Sequence, residues 1–143
     1  MTSLLKSWRA APLEWLLMGL LIAYSLASLS HYTHNAVYLE RYPNMPAWIT
    51  RSGVMAAWSC VAAVGLSGWL LWRLVHRLIG LAVLGLYALL GFDGLAHYCL
   101  APISAHSFDM NFTIWAEALA GAALLGIVTI CGLQPARTFK TRR

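Results

Sequence analysis

Five histidines and five acidic residues carry most of the acid–base and metal-binding capacity of this 143-residue chain, and their spacing is not random. His31-x-x-His34-Asn35 brings two imidazoles within reach of one ion from a single helix. Asp93-x-x-x-His97 sets a carboxylate and an imidazole one turn apart on one helical face. Glu117 adds a second carboxylate. Mixed nitrogen and oxygen ligands of this kind suit Zn, Fe, Mn or Cu(II) better than Ca or Mg. The pattern is neither H-E-x-x-H nor a pair of E-x-x-H motifs, so the ligand types carry the assignment and no signature does.

Other chemistries compete for the same residues. Haem b would need two inward histidines on different helices, and His97 with His31 or His34 meets that condition. Asp93 and Glu117 would then crowd carboxylates beneath the ring. The two carboxyls could instead be an acid–base pair in a lipid- or quinone-modifying enzyme, with Ser28 or Ser104 assisting. The bland alternative is interfacial histidines wetted by headgroups, with Asp93 and His97 hydrogen-bonded to each other.

The scaffold for these groups is set by composition. The chain is 60% AVILMFWYC and 10% DEKR, against about 45–50% and about 25% in soluble domains. Mean hydropathy is +0.66. These values exclude a soluble globular domain, a disordered chain, a nucleic-acid module and a disulfide scaffold. Cys60, Cys99 and Cys131 show no C-x-x-C spacing and read as small buried hydrophobes. The class is an all-α integral membrane protein whose surroundings are the lipid bilayer.

A hydrocarbon core about 30 Å thick needs about 20 mostly apolar residues per helix. Four stretches qualify, at about 13–38, 46–74, 78–100 and 109–132, and make residues 1–143 one domain. Asn44 is the expected cap of the second helix with Pro46 in its first turn, and Asp109 the expected cap of the fourth. Lys6, Arg9 and Ser25-Leu26-Ala27 have the outline of a signal peptide, but the segment is counted as a transmembrane helix.

Short connections make sequential helices antiparallel, giving an up-down-up-down four-helix bundle. Eight of the 10 basic residues fall on one side: Lys6, Arg9, Arg73, Arg77, Arg137, Lys140, Arg142 and Arg143. The positive-inside rule then puts both termini in the cytoplasm, in what reads as a bacterial inner membrane. The basic tail after Arg137 is expected to touch anionic lipid, and Glu14 to pair with Arg9. Trp8, Trp15, Trp48 and Trp72 lie near the interfaces. Small-residue ridges at Ala118, Ala122 and Gly126, at Gly53 and Ala57, and at Gly91 and Gly94 are expected to pack helices closely.

Depth brings the polar residues together. At 1.5 Å per residue, Asp93 lies about 10 Å inward of Leu100, and Glu117 about 12 Å inward of Asp109. Tyr24, Ser28, His31, Asn35 and Tyr38 form one stripe on the first helix. A lone ionised carboxyl at that depth costs several kcal/mol, and no Lys or Arg shares the level. Protonation, a histidine or a bound cation must therefore compensate. The expected site is His31, His34, Asp93, His97 and Glu117 among the first, third and fourth spans, opening outward and binding a transition metal, structural or catalytic. His106 reads as a loop residue that could close over it. Met45, Met55 and Met110 read as packing. The alternatives are a non-catalytic subunit of a larger membrane complex, and a haem- or quinone-binding redox subunit. The inner half carries only Ser67, Cys60 and Thr129 as polar candidates, too few for a transport route.

Overall fold

The computed structural model describes residues 2–134, with side chains from Pro12 onward. All its regular structure is helical. The long helices are α1 (Thr2–Val37), α2 (Arg51–Leu74), α3 (Arg77–Leu90) and α5 (Phe108–Leu133), and a single turn, α4, covers His97–Leu100. Four spans, Pro12–Val37, Arg51–Leu74, Arg77–Leu100 and Phe108–Leu133, are long and apolar enough to cross a membrane. Pro12 sits inside α1 without ending it.

Two boundaries differ from the sequence expectation. The second helix begins at Arg51, not near 46. Thr50 caps it, its Oγ1 accepting from Gly53 N at 3.1 Å, while Asn44 adopts a left-handed turn conformation (φ 56°). A hydroxyl at the cap satisfies an otherwise unpaired helix N–H, and Pro46 stays in the preceding turn. Ser107, not Asp109, caps α5 by accepting from Met110 N at 3.3 Å. Asp109 lies in the first turn.

The third span is broken as well. α3 ends at Leu90, and Asp93–Ala96 winds as a 3-10 turn before α4. The N–H groups of Gly91, Phe92 and Leu95 all bond three residues back. Gly91 and Gly94 are weak helix formers, and the tighter 3-10 winding rotates the residues after it relative to an α-helix. Asp93 and His97 therefore do not stack as an i, i+4 pair, and the hydrogen bond between them that the bland alternative requires does not form.

α2 packs chiefly on α3, and α1 on α5. α5 also packs on α3, and the α1–α2 seam is the looser one. A Cβ at Gly80 would run into the Trp72 backbone, and one at Gly65 would lie 2.7 Å from the Tyr87 ring. At mid-depth, Gly121 faces the Ala88 carbonyl and Gly91 faces the Tyr24 ring, so α1, α3 and α5 meet there. The expected ridges are only partly used. Gly91 and Gly94 make close approaches as expected, but Gly126 meets nothing and Ala122 is exposed, and Gly65, Gly68, Gly80 and Gly121 make the other close approaches.

The half of the bundle near Arg77 is filled by Leu17, Leu21, Leu84, Leu124, Ile127 and their neighbours. Arg77 reaches across to the carbonyls of Cys131 and Gln134, ending α5 with a cation. Only Cys131 is buried, while Cys60 and Cys99 are exposed, contrary to expectation. Met110 packs with Tyr42 and Ile114, Met45 packs against that same cluster, and Met55 packs against Tyr32, Ala36 and Val54. The Arg9 partner expected for Glu14 and the basic tail from Arg137 lie outside the described side chains.

Candidate functional site

The other half of the bundle holds the polar cluster. His31 comes from α1 and Glu117 from α5, and both are buried. His31 Nδ1 lies 3.1 Å from Glu117 Oε2, with side-chain exposures of 3% and 0%. The contact lacks hydrogen-bond alignment: His31 Nδ1 and both Glu117 oxygens are buried without a hydrogen-bond partner. Donor atoms about 3.3 Å apart are what two ligands of one tetrahedral ion would show, given metal–ligand bonds of about 2.0–2.1 Å.

Gly94 makes this contact possible. A Cβ there would lie 2.5 Å from His31 Cε1, 3.0 Å from Nδ1 and 3.5 Å from Glu117 Oε2. The 3-10 turn thus presses bare backbone against the His31–Glu117 pair.

His97 stands beside it. Its ring is 5.6 Å from that of His31, stacked at 24°. Asn35 Nδ2 donates to His97 Nε2 at 3.2 Å, and Asn35 Oδ1 is buried without a partner. Turning the amide by 180° exchanges the two atoms. Oδ1 then accepts Nε2–H and leaves the Nδ1 lone pair free, as a supporting amide does for a ligating imidazole.

Asp93 and His34 have other partners. The Tyr32 hydroxyl donates to Asp93 Oδ2. Tyr42 OH lies 2.9 Å from His34 Nδ1. Burial pushes the Tyr42 phenol up to about 12, outweighing its hydrogen bond to Thr113, so the phenol keeps its proton beside His34. His34 thus turns to Tyr42, not to the His31–Glu117 pair. Tyr42 also lies against His97, with ring centroids 4.8 Å apart.

His106, expected in a loop, is buried, with Nε2 unpartnered and its ring 6.1 Å from that of His97. Its Nδ1 approaches the Pro102 carbonyl at 3.1 Å. Below His31 on the same face of α1, Ser28 and Tyr24 are fully buried with unpartnered hydroxyls. Tyr38, the expected end of that stripe, is exposed beyond the helix.

Among the described residues, no three His, Cys, Asp or Glu side chains converge at metal-binding distances in these rotamers. The sequence reading missed Tyr32 and Tyr42, since aromatics near a helix end read equally well as an interfacial belt. The close pair Gly91 and Gly94 was the available signal for the broken helix. The cluster thus holds several buried donors and acceptors without partners, which in native structures call for an explanation by strain, catalysis, water or an ion. No protein-family model matches the chain, and no curated protein or solved structure is significantly similar to it.

Proposed function

We propose that this is an integral membrane protein that binds a transition-metal ion between His31 and Glu117, with His97 as the adjacent ligand. Its helices run up-down-up-down with both termini cytoplasmic, so the site opens to the outer face of a bacterial inner membrane. The reading rests on one observation above all: a carboxylate with no exposed surface, neither oxygen hydrogen-bonded, faces an unaligned imidazole nitrogen at 3.1 Å. A divalent ion there satisfies three orphaned atoms at once. His106 is the nearest further imidazole, while Asp93 and His34 take supporting positions through Tyr32 and Tyr42.

The geometry favours a bare ion over haem b. Gly94 backbone packs against the His31 ring, in the space a macrocycle needs. Soft thiolates take no part, since Cys131 lies at the far end of α5 and Cys60 and Cys99 are exposed on the outside of the bundle. Zn, Mn, Fe and Cu(II) all accept this donor set.

The test is elemental analysis of protein purified in mild detergent without chelator, with an absorption spectrum of the same sample. We expect near-stoichiometric metal, no Soret band, and loss of metal in His31→Ala and Glu117→Gln. A wild-type protein that carries none of the four metals, and takes up neither Zn nor Mn when they are supplied, overturns the reading. Co-purification of stoichiometric partner chains with metal-free protein would instead favour an accessory subunit.

A further inference from the structure

A second feature abuts the same histidines but has different chemistry. A groove of about 490 Å³ lies between the last turns of α1, the first turns of α2 and the segment around Asp93 and His97. That volume falls within the ~300–1,000 Å³ range of small-molecule sites. Most of its wall is apolar, including Ile49, Val54 and Ala57, with Trp48 at the rim. The polar groups gather at its base. Asp93 is the one acidic residue there, and none of the lining residues is Lys or Arg. The nearest cation in sequence, Arg51, is turned away to Glu40 at 3.0 Å. A second apolar groove of about 370 Å³ follows the same α1–α2 seam further in, past Leu26, Trp58 and Leu66.

We propose that this groove binds a membrane-soluble amphiphile whose head donates hydrogen bonds, a hydroxyl or an ammonium, with its chain lying along the α1–α2 seam. Charge complementarity carries the choice. Tyr32 and the Gly94 N–H donate to Asp93, and the exposed carboxylate has room to accept a further donor from the groove. In the metal-free protein a phosphate or carboxylate head would meet Asp93 with no Lys or Arg in the lining to offset the repulsion, which disfavours acidic phospholipids. An apolar wall beside a single acceptor cluster fits one chain and one small head. The loose α1–α2 seam gives the chain a lateral path from the lipid.

The groove shares His31 and His97 with the proposed ion site, so its ligand is tested with the ion removed. The test uses the full chain, delipidated in detergent and stripped of metal with chelator. Retention of four probes with the same C16 chain is measured by native mass spectrometry: hexadecanol, hexadecylammonium, hexadecyl phosphate and hexadecanoate. The alcohol or the ammonium should be retained at least tenfold better than both anions. Preference for either one upholds the proposal and identifies the head. Ala57→Phe, which fills the apolar arm without touching the polar base, should lower that retention at least tenfold. Asp93→Asn should abolish discrimination between ammonium and phosphate. Equal retention of all four probes, or retention untouched by Ala57→Phe, overturns the proposal and leaves the metal reading standing. Loss of metal binding alone does the reverse.

Discussion

Glu117→Gln should change stability with opposite signs in metal-free and metal-loaded protein. The exchange preserves side-chain volume and removes one buried negative charge. Among the described residues, His31 is the basic group within ion-pair distance of Glu117, at 3.1 Å. At an effective dielectric constant of about 20, unit charges that close attract by about 5 kcal/mol before any desolvation is counted. Desolvation costs several kcal/mol for each ion, and Glu117→Gln leaves two neutral groups in place of the pair, since a histidine, unlike a lysine or arginine, can give up its charge when its partner is removed. Metal-free Glu117→Gln protein should therefore melt at or above the wild type. With an ion present the order reverses. A ligand at 100 times its Kd stabilises by about 2.7 kcal/mol. If the amide weakens the site about 100-fold, the same ion concentration yields only about 0.4 kcal/mol. Thermal unfolding in detergent, with chelator and then with added Zn, reads both arms. The wild-type midpoint should rise by several degrees on adding Zn, and that of the variant should barely move. Equal Zn shifts in the two proteins would refute the assignment of Glu117 as a ligand. A variant that melts well below wild type in chelator would refute the claim that the charge is costly without an ion.

Four further outcomes are expected. Gly94→Ala places a Cβ 2.5 Å from His31 Cε1 and should lower metal affinity at least tenfold, measured by metal content, with far-UV circular dichroism unchanged. Gly80→Ala drives a methyl into the Trp72 backbone and should destabilise the α2–α3 hairpin by about 1–3 kcal/mol in a thermal melt. The Tyr42 phenol is raised to about 12 in the folded protein, so the fold keeps a proton that an unfolded phenol, near 10, releases; stability present below pH 10 is lost as pH rises towards 12. Tyr42→Phe should flatten that alkaline loss, and an unchanged slope between pH 10 and 12 would count against a buried, protonated phenol. Finally, a membrane-impermeant maleimide should label exposed Cys99 on intact cells and leave buried Cys131 unmodified, whereas labelling of Cys99 only after permeabilisation would invert the orientation.

Hydropathy alone made the four spans legible, because lipid demands long apolar runs and leaves few alternatives. The ends of α1 and α5 fall within a residue or so of the expected 38 and 109–132. Local chemistry was harder to read. Asn44 and Thr50 are both acceptable caps by type, and only the backbone shows Thr50 bonded to Gly53 while Asn44 turns left-handed. Helical depth arithmetic was enough to place Glu117 level with residues of the third span. The same arithmetic failed at Asp93 and His97, since it assumes 3.6 residues per turn through a segment that winds tighter. His34 shows another limit. Spacing puts it beside His31 on the surface of α1, but the loop residue Tyr42 competes for it, and loop paths are not written in periodicity.

The break in the third span decides the chemistry of both carboxylates. An unbroken α-helix through residues 91–97 would stack Asp93 beneath His97 on one face, where the two would satisfy each other. The 3-10 turn separates them. It sends Asp93 to Tyr32 at the base of the apolar groove and sets Gly94 against His31 and Glu117. His97, released from Asp93, meets Asn35 and stacks on His31. One four-residue turn thus gives each carboxylate a separate environment: Glu117 fully enclosed beside an imidazole, Asp93 open to a lipid-accessible groove. Lengthening that turn into regular helix, for example by Gly91→Ala together with Gly94→Ala, should therefore lower both metal content and amphiphile retention in the assays above if the two proposals hold, although neither glycine is a proposed ligand.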